Sequence, residues 1–127
     1  MINALVVDDE KEIREIVKSY LEEEGSCFVD VSPNAEWGIH SLKNKDYDII
    51  FLDYKLQGDL DGFDLLSKIK ERGIKVVTVM ISGHLEDLHQ VKEKANEALP
   101  NEFLPKPFDA QSVKRIMEKY FPQEKEL

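Results

Sequence analysis

The sequence predicts an α/β domain built on a doubly wound, five-stranded parallel sheet, and three observations predict it. Five short apolar runs, at residues 4–7, 27–31, 48–53, 76–81 and 102–104, punctuate the chain. Segments with apolar residues at helical spacing separate them. The runs are apolar throughout instead of alternating, as strands covered on both faces are. Alternation of this kind makes right-handed crossovers, and hence parallel neighbours with helices on both faces of the sheet.

The first run stops at two aspartates, as a buried strand does on reaching the rim of its sheet. Ile13, Ile16, Val17, Tyr20 and Leu21 follow at i, i+3, i+4, i+7 and i+8, an amphipathic helix that Gly25 closes. After the second run, Ser32 and Pro33 supply an N-cap and a proline for the first helical position. Ala35, Ile39 and Leu42 mark the face of that helix, and Trp37 lies off the stripe, toward the surface. The third run ends at Asp53, and Phe63, Leu66 and Ile69 give a helix ending near Gly73. The fourth run is rich in β-branched residues, and Leu85, Leu88, Val91 and Ala95 mark a fourth helix. After the short fifth run, Asp109 can cap a last helix whose face is Val113, Ile116, Met117 and Tyr120. One domain over residues 1–122 and a short polar tail at 123–127 account for the chain.

Composition narrows the function. The 127 residues, 42% of them hydrophobic, suffice for a core without staples. Acidic residues number 26 against 17 Lys and Arg, a net charge of −9. That is the wrong sign for neutralising nucleic-acid phosphates or an anionic membrane surface. Cys27, the only cysteine, excludes an internal disulfide and a multi-cysteine metal site, and is expected in the core. No signal-peptide pattern opens the sequence, and no apolar run approaches the roughly 20 residues that span a bilayer. The expected location is cytoplasmic.

In a doubly wound sheet, ligands bind outside the carboxyl ends of the strands. Asp8, Asp9 and Glu10 follow the first strand, Asp53 ends the third, Ser82 and Gly83 end the fourth, and Lys106 follows the fifth. Carboxylates gathered on one rim repel unless a proton or cation intervenes. Oxygen ligands without His or Cys favour Mg²⁺. With a metal offsetting the charge of an incoming phosphate, an aspartate can attack phosphorus, while Lys106 and Ser82 hold the transferred oxygens. Taken singly, an aspartate pair is a solvated turn, Ser82-Gly83 an ordinary bend and Lys106 a loop lysine; their fall after separate strands of one sheet carries the argument.

Five segments carry a family likeness: Leu5-Val6-Val7-Asp8-Asp9-Glu10, Ile50-Phe51-Leu52-Asp53-Tyr54-Lys55-Leu56, Asp61-Gly62-Phe63, Met80-Ile81-Ser82-Gly83-His84 and Phe103-Leu104-Pro105-Lys106-Pro107-Phe108. In order and spacing the chain resembles the receiver domain of two-component response regulators, from about Leu5 to Tyr120. The resemblance implies a flavodoxin-like (βα)5 fold with strand order 2-1-3-4-5. It implies Asp53 as phosphoacceptor, served by a sensor histidine kinase or histidine phosphotransfer protein. It implies Mg²⁺ held by Asp9 and Asp53, by Asp8 through water, and by the Lys55 backbone carbonyl. Ser82 and Lys106 then bind the phosphoryl oxygens, and Ser82 with Phe103 forms the switch. Lys55 and His84, each two residues past a site residue, are the positions that tune dephosphorylation in such domains. The output is a downstream effector protein or a fused domain, with a homodimer compatible. The chain is then a phosphoacceptor that assists its own phosphorylation, not an enzyme.

Two stretches depart from the family pattern. Residues 55–62 run long and lack the usual proline, which bears on metal geometry at Lys55. Residues 95–101 lack the common Gly-Ala, which bears on the fourth helix. A haloacid-dehalogenase-type phosphatase also uses an aspartate nucleophile, but as Asp-x-Asp after its first strand; here Asp8-Asp9 has no spacer. A receiver-like binding module working without phosphate is favoured by loss of an acidic residue or the lysine, and all are present. A flavodoxin-like cofactor protein needs a phosphate loop where Asp8, Asp9 and Glu10 stand.

Overall fold

The computed structural model describes residues 1–23, 25, 27–83 and 99–122. Five strands form one parallel sheet: β1 (Ile2–Val7), β2 (Cys27–Ser32), β3 (Ile49–Asp53), β4 (Val77–Ser82) and β5 (Glu102–Pro105). Their order is β2-β1-β3-β4-β5, as expected. Helices α1 (Lys11–Glu23), α2 (Ala35–Asn44), α3 (Gly62–Glu71) and a last helix (Ala110–Tyr120) cover the two faces. The fourth helix read from Leu85 to Ala95 lies outside the described residues, as do His84 and the tail at 123–127.

Successive strand residues point to opposite faces, and the core divides accordingly. Leu5, Val7, Ile50, Leu52 and Met80 pack against Ala35 and Leu42 of α2 and Leu65, Leu66 and Ile69 of α3. Ala4, Val6, Phe51, Val79 and Ile81 pack against Val17 and Leu21 of α1 and Val113, Ile116 and Met117 of the last helix. Each fully buried Leu or Ile contributes roughly 2 kcal/mol by leaving water, and this paired burial fixes the register of the central strands.

Four expectations are corrected. Ser32 does not cap α2, because its backbone belongs to the sheet: it pairs with Val7 and its carbonyl accepts from the Asp8 N–H. Asn34 caps instead, in extended backbone, its side chain accepting from the Trp37 N–H at 2.8 Å. Pro33 accordingly precedes the cap. Burial on both faces holds for the central strands and fails for β2, which lies at the sheet edge with Phe28 59% exposed. Cys27, on that same edge strand, is therefore half-buried, though it packs against the core. Ile16 is 41% exposed because Ile13, Val17 and Leu21 form the inner row of α1 and Ile16 the outer one. Trp37 is 56% exposed, and Gly25 turns the chain after α1 at φ +74°, both as expected.

Candidate functional site

Every candidate residue within the described part of the chain, apart from Phe103, stands at or just beyond the carboxyl end of its strand. β1 delivers Asp8. Its N–H donates to the Ser32 carbonyl at 3.1 Å, its Oδ1 accepts from the Glu10 N–H at 2.8 Å, and its carbonyl accepts from the Arg14 guanidinium at 2.7 Å. The side chain is wholly buried, and among the described residues its Oδ2 has no hydrogen-bond partner. A buried carboxylate oxygen left unsatisfied costs on the order of 1–3 kcal/mol or more, so this one points to a ligand.

β3 delivers Asp53, and the sheet continues one step beyond it because the Tyr54 N–H donates to the Ile81 carbonyl at 2.9 Å. The chain then returns to the same spot. Asp61 and Asp64 form a reciprocal capping box that starts α3, and Gly62 donates its N–H to the Tyr54 carbonyl at 3.0 Å. A Cβ on Gly62 would stand 2.0 Å from the Asp53 carbonyl oxygen, so only glycine fits beneath the aspartate.

β5 delivers Lys106. Pro105 pairs with Ser82 across β4 and β5, and the Lys106 N–H donates to the Ser82 carbonyl at 2.8 Å. The Lys106–Pro107 peptide bond is cis. The ammonium reaches between two carboxylates, 3.7 Å from Asp53 Oδ1 and 4.0 Å from Asp8 Oδ2. Ser82, on the strand between, is buried.

Asp8, half-buried Asp9 and buried Asp53 each offer an oxygen within 4.8 Å of the other two. One lysine faces three carboxylates, and the imbalance appears in the acidity of Asp53 and Asp8. Burial, followed by the negative charge of Asp8, pushes Asp53 up to about 7, with Lys106 opposing. Burial also pushes Asp8 up to about 6, opposed first by the Glu10 N–H and then by Lys106. An oxygen-only donor set that is short of positive charge and carries an orphaned buried oxygen fits a hard divalent cation.

Three other candidates stand farther out. Phe103 lies on β5 in register with Met80, two residues before Pro105, half-buried against the α2–α3 side of the core. Lys55 has an exposed side chain. His84 lies outside the described residues. Sequence reasoning gave no role to Arg14 or Gly62. Arg14 stands four residues after Glu10 on α1, a spacing that places it back over the Asp8-Asp9 turn, and that was the available signal. Gly62 was legible only as part of Asp61-Gly62-Phe63, since its close approach depends on where the loop returns.

Comparison with known proteins bears directly on this arrangement. Residues 4–118 match the response regulator receiver domain family. The chain is similar to the heme response regulator HssR of Staphylococcus epidermidis, 31% identical over 125 residues that make up 94% of this chain and 53% of that protein. It is 36% identical over 116 residues to the nitrogen assimilation regulatory protein NtrX of Azorhizobium caulinodans, covering 91% of this chain and 25% of that one. The chain thus spans about half the length of HssR and a quarter of NtrX. Among solved structures, the receiver domain of NtrX from Brucella abortus superposes with a TM-score of 0.81 at 32% identity, covering 94% of this chain and 98% of that one. A CheY-like receiver domain protein from Methanospirillum hungatei gives 0.80 at 27% identity, with 100% and 99% covered. The chain belongs to the receiver domain family of response regulators. Among the described residues no helix is long and apolar enough to cross a membrane.

Proposed function

We propose that this domain, residues 1–122, accepts a phosphoryl group on Asp53 from the phosphohistidine of a sensor kinase or phosphotransfer protein, with Mg²⁺ in the acidic cluster. The observation that carries the reading is Lys106 Nζ placed between the carboxylates of Asp53 and Asp8, beside an Asp8 oxygen that has no hydrogen-bond partner among the described residues. An Asp53 oxygen forms the new bond to phosphorus, the phosphorus–nitrogen bond breaks, and the departing imidazole takes up a proton. Mg²⁺ supplies positive charge that lets the phosphate approach the carboxylates. Asp9 and Asp53 would be its direct ligands, with Asp8 acting through water and Lys55 through its backbone carbonyl. Lys106 pairs with a phosphoryl oxygen, and the Ser82 hydroxyl donates to another.

The carbonyl of Ser82 is bonded to the Lys106 N–H, so a serine drawn toward phosphate tugs directly on the end of β5. Phe103 lies on that strand, and its change of packing presents a new surface to an effector protein or a fused output domain. Lys55 and His84 set how readily water reaches the acyl phosphate. The domain acts as a phosphoacceptor within a cytoplasmic relay and turns over no separate substrate. Incubation with acetyl phosphate and Mg²⁺ should add the mass of one phosphoryl group to the intact chain, with no gain in EDTA or in Asp53→Asn. Gain of that mass by Asp53→Asn would refute the assignment.

A further inference from the structure

We propose that Arg14 is a positioning residue that aims Asp9 at the cation by gripping the carbonyl of Asp8. This rests on the Mg²⁺ reading of the site. The Asp8 carbonyl belongs to the planar peptide unit that joins Asp8 to Asp9, so fixing that oxygen fixes the plane from which the Asp9 side chain departs. The grip is short for a guanidinium–carbonyl bond, at 2.7 Å, and charge-assisted. Every other polar atom of Asp8 except Oδ2 is held by backbone, from Ser32 on one side and Glu10 on the other. Among the described residues, Arg14 is therefore the one side chain hydrogen-bonded to the backbone of the turn leading into Asp9.

The location of Arg14 argues against simpler roles. It lies in the first turns of α1, near the positive end of the helix, where a cation is disfavoured. No ion pair engages its guanidinium among the described residues, so its charge is not there to match an acid. Its half-buried side chain instead runs back toward the acidic rim and ends on a carbonyl.

Charge and positioning give opposite signs, which makes the test decisive. A cation close to the cluster repels Mg²⁺, so if only charge mattered, Arg14→Ala would bind Mg²⁺ more tightly. If Arg14 aims Asp9, the same variant binds it more weakly, by roughly tenfold. Calorimetric titration with Mg²⁺ of the wild type, Arg14→Ala and Arg14→Lys reads this, alongside thermal melts in EDTA. The expected result is weaker binding in Arg14→Ala, partial recovery in Arg14→Lys, and melts in EDTA that scarcely move. Should Arg14→Ala fail to fold, Arg14→Gln gives the same comparison, since it removes the charge and shortens the reach. Unchanged or tighter Mg²⁺ binding in the variant, with normal binding by the wild type, overturns the role of Arg14 alone. Absence of Mg²⁺ binding by the wild type removes the reading of the site itself.

Discussion

Asp53 and Asp8 hold protons in the native chain at a pH where an ordinary aspartate has none. Their acidities lie near 7 and 6, against 3.8 for the free side chain. Between about pH 4 and 7 the folded state therefore carries protons that the unfolded chain releases, and metal-free stability falls as pH rises through that window. Asp53→Asn removes the buried charge, so at pH 8 in EDTA it should stabilise the chain by about 2 kcal/mol, an effect that fades toward pH 4. Urea denaturation at the two pH values checks this, and equal stability of variant and wild type at pH 8 would contradict it. Lys106→Met should slow phosphorylation by acetyl phosphate on the order of a hundredfold, since the ammonium meets charge that grows during transfer. Initial rates by intact mass measure that. The identities of these residues were legible because each follows a separate apolar run. The orphaned Oδ2 of Asp8 and the grip of Arg14 were not, because they depend on side-chain reach across a turn.

At the scale of elements, the local rules of capping and close approach decide what each segment does. Asn34, not Ser32, starts α2, so Asn34→Ala should cost about 1 kcal/mol and Ser32→Ala distinctly less; thermal melts of the two compare them. The sequence offered Ser32-Pro33 as an equally good start, and only the pairing of Ser32 with Val7 shows that its backbone is already committed. Gly62→Ala should destabilise by about 3 kcal/mol or prevent folding, because a Cβ there meets the Asp53 carbonyl at 2.0 Å. A variant with an unchanged melting temperature would show that the loop yields at no cost. Strand existence was readable from runs of apolar residues. The exposure of Phe28 and the half-burial of Cys27 did not follow from the runs themselves, which look alike at the centre and the edge of a sheet; the strand order implied by the family resemblance already put the second strand at the edge.

For the molecule as a whole, the doubly wound topology is what brings carboxylates from β1 and β3 and a lysine from β5 to one rim. The alternation of elements was enough to predict that convergence, since parallel strands all end on the same side. A net charge of −9 adds diffuse repulsion to the local excess at the cluster, so a divalent cation relieves both. In the proposed site Mg²⁺ would compete with the protons on Asp8 and Asp53, and its affinity should rise as pH goes from 5 to 7.5 and then level off. Its stabilising effect in thermal melts should follow the same curve, and a pH-independent affinity would contradict the placing of the cation beside these two carboxylates.

The most direct test is to locate the phosphoryl group chemically. After incubation with acetyl phosphate and Mg²⁺, borohydride reduction converts an aspartyl phosphate to homoserine, which peptide mass mapping places in the chain. The expected result is homoserine at position 53 and at no other aspartate. Reduction at Asp8 or Asp9, or an unmodified Asp53 in a folded, Mg²⁺-loaded sample, would contradict the account.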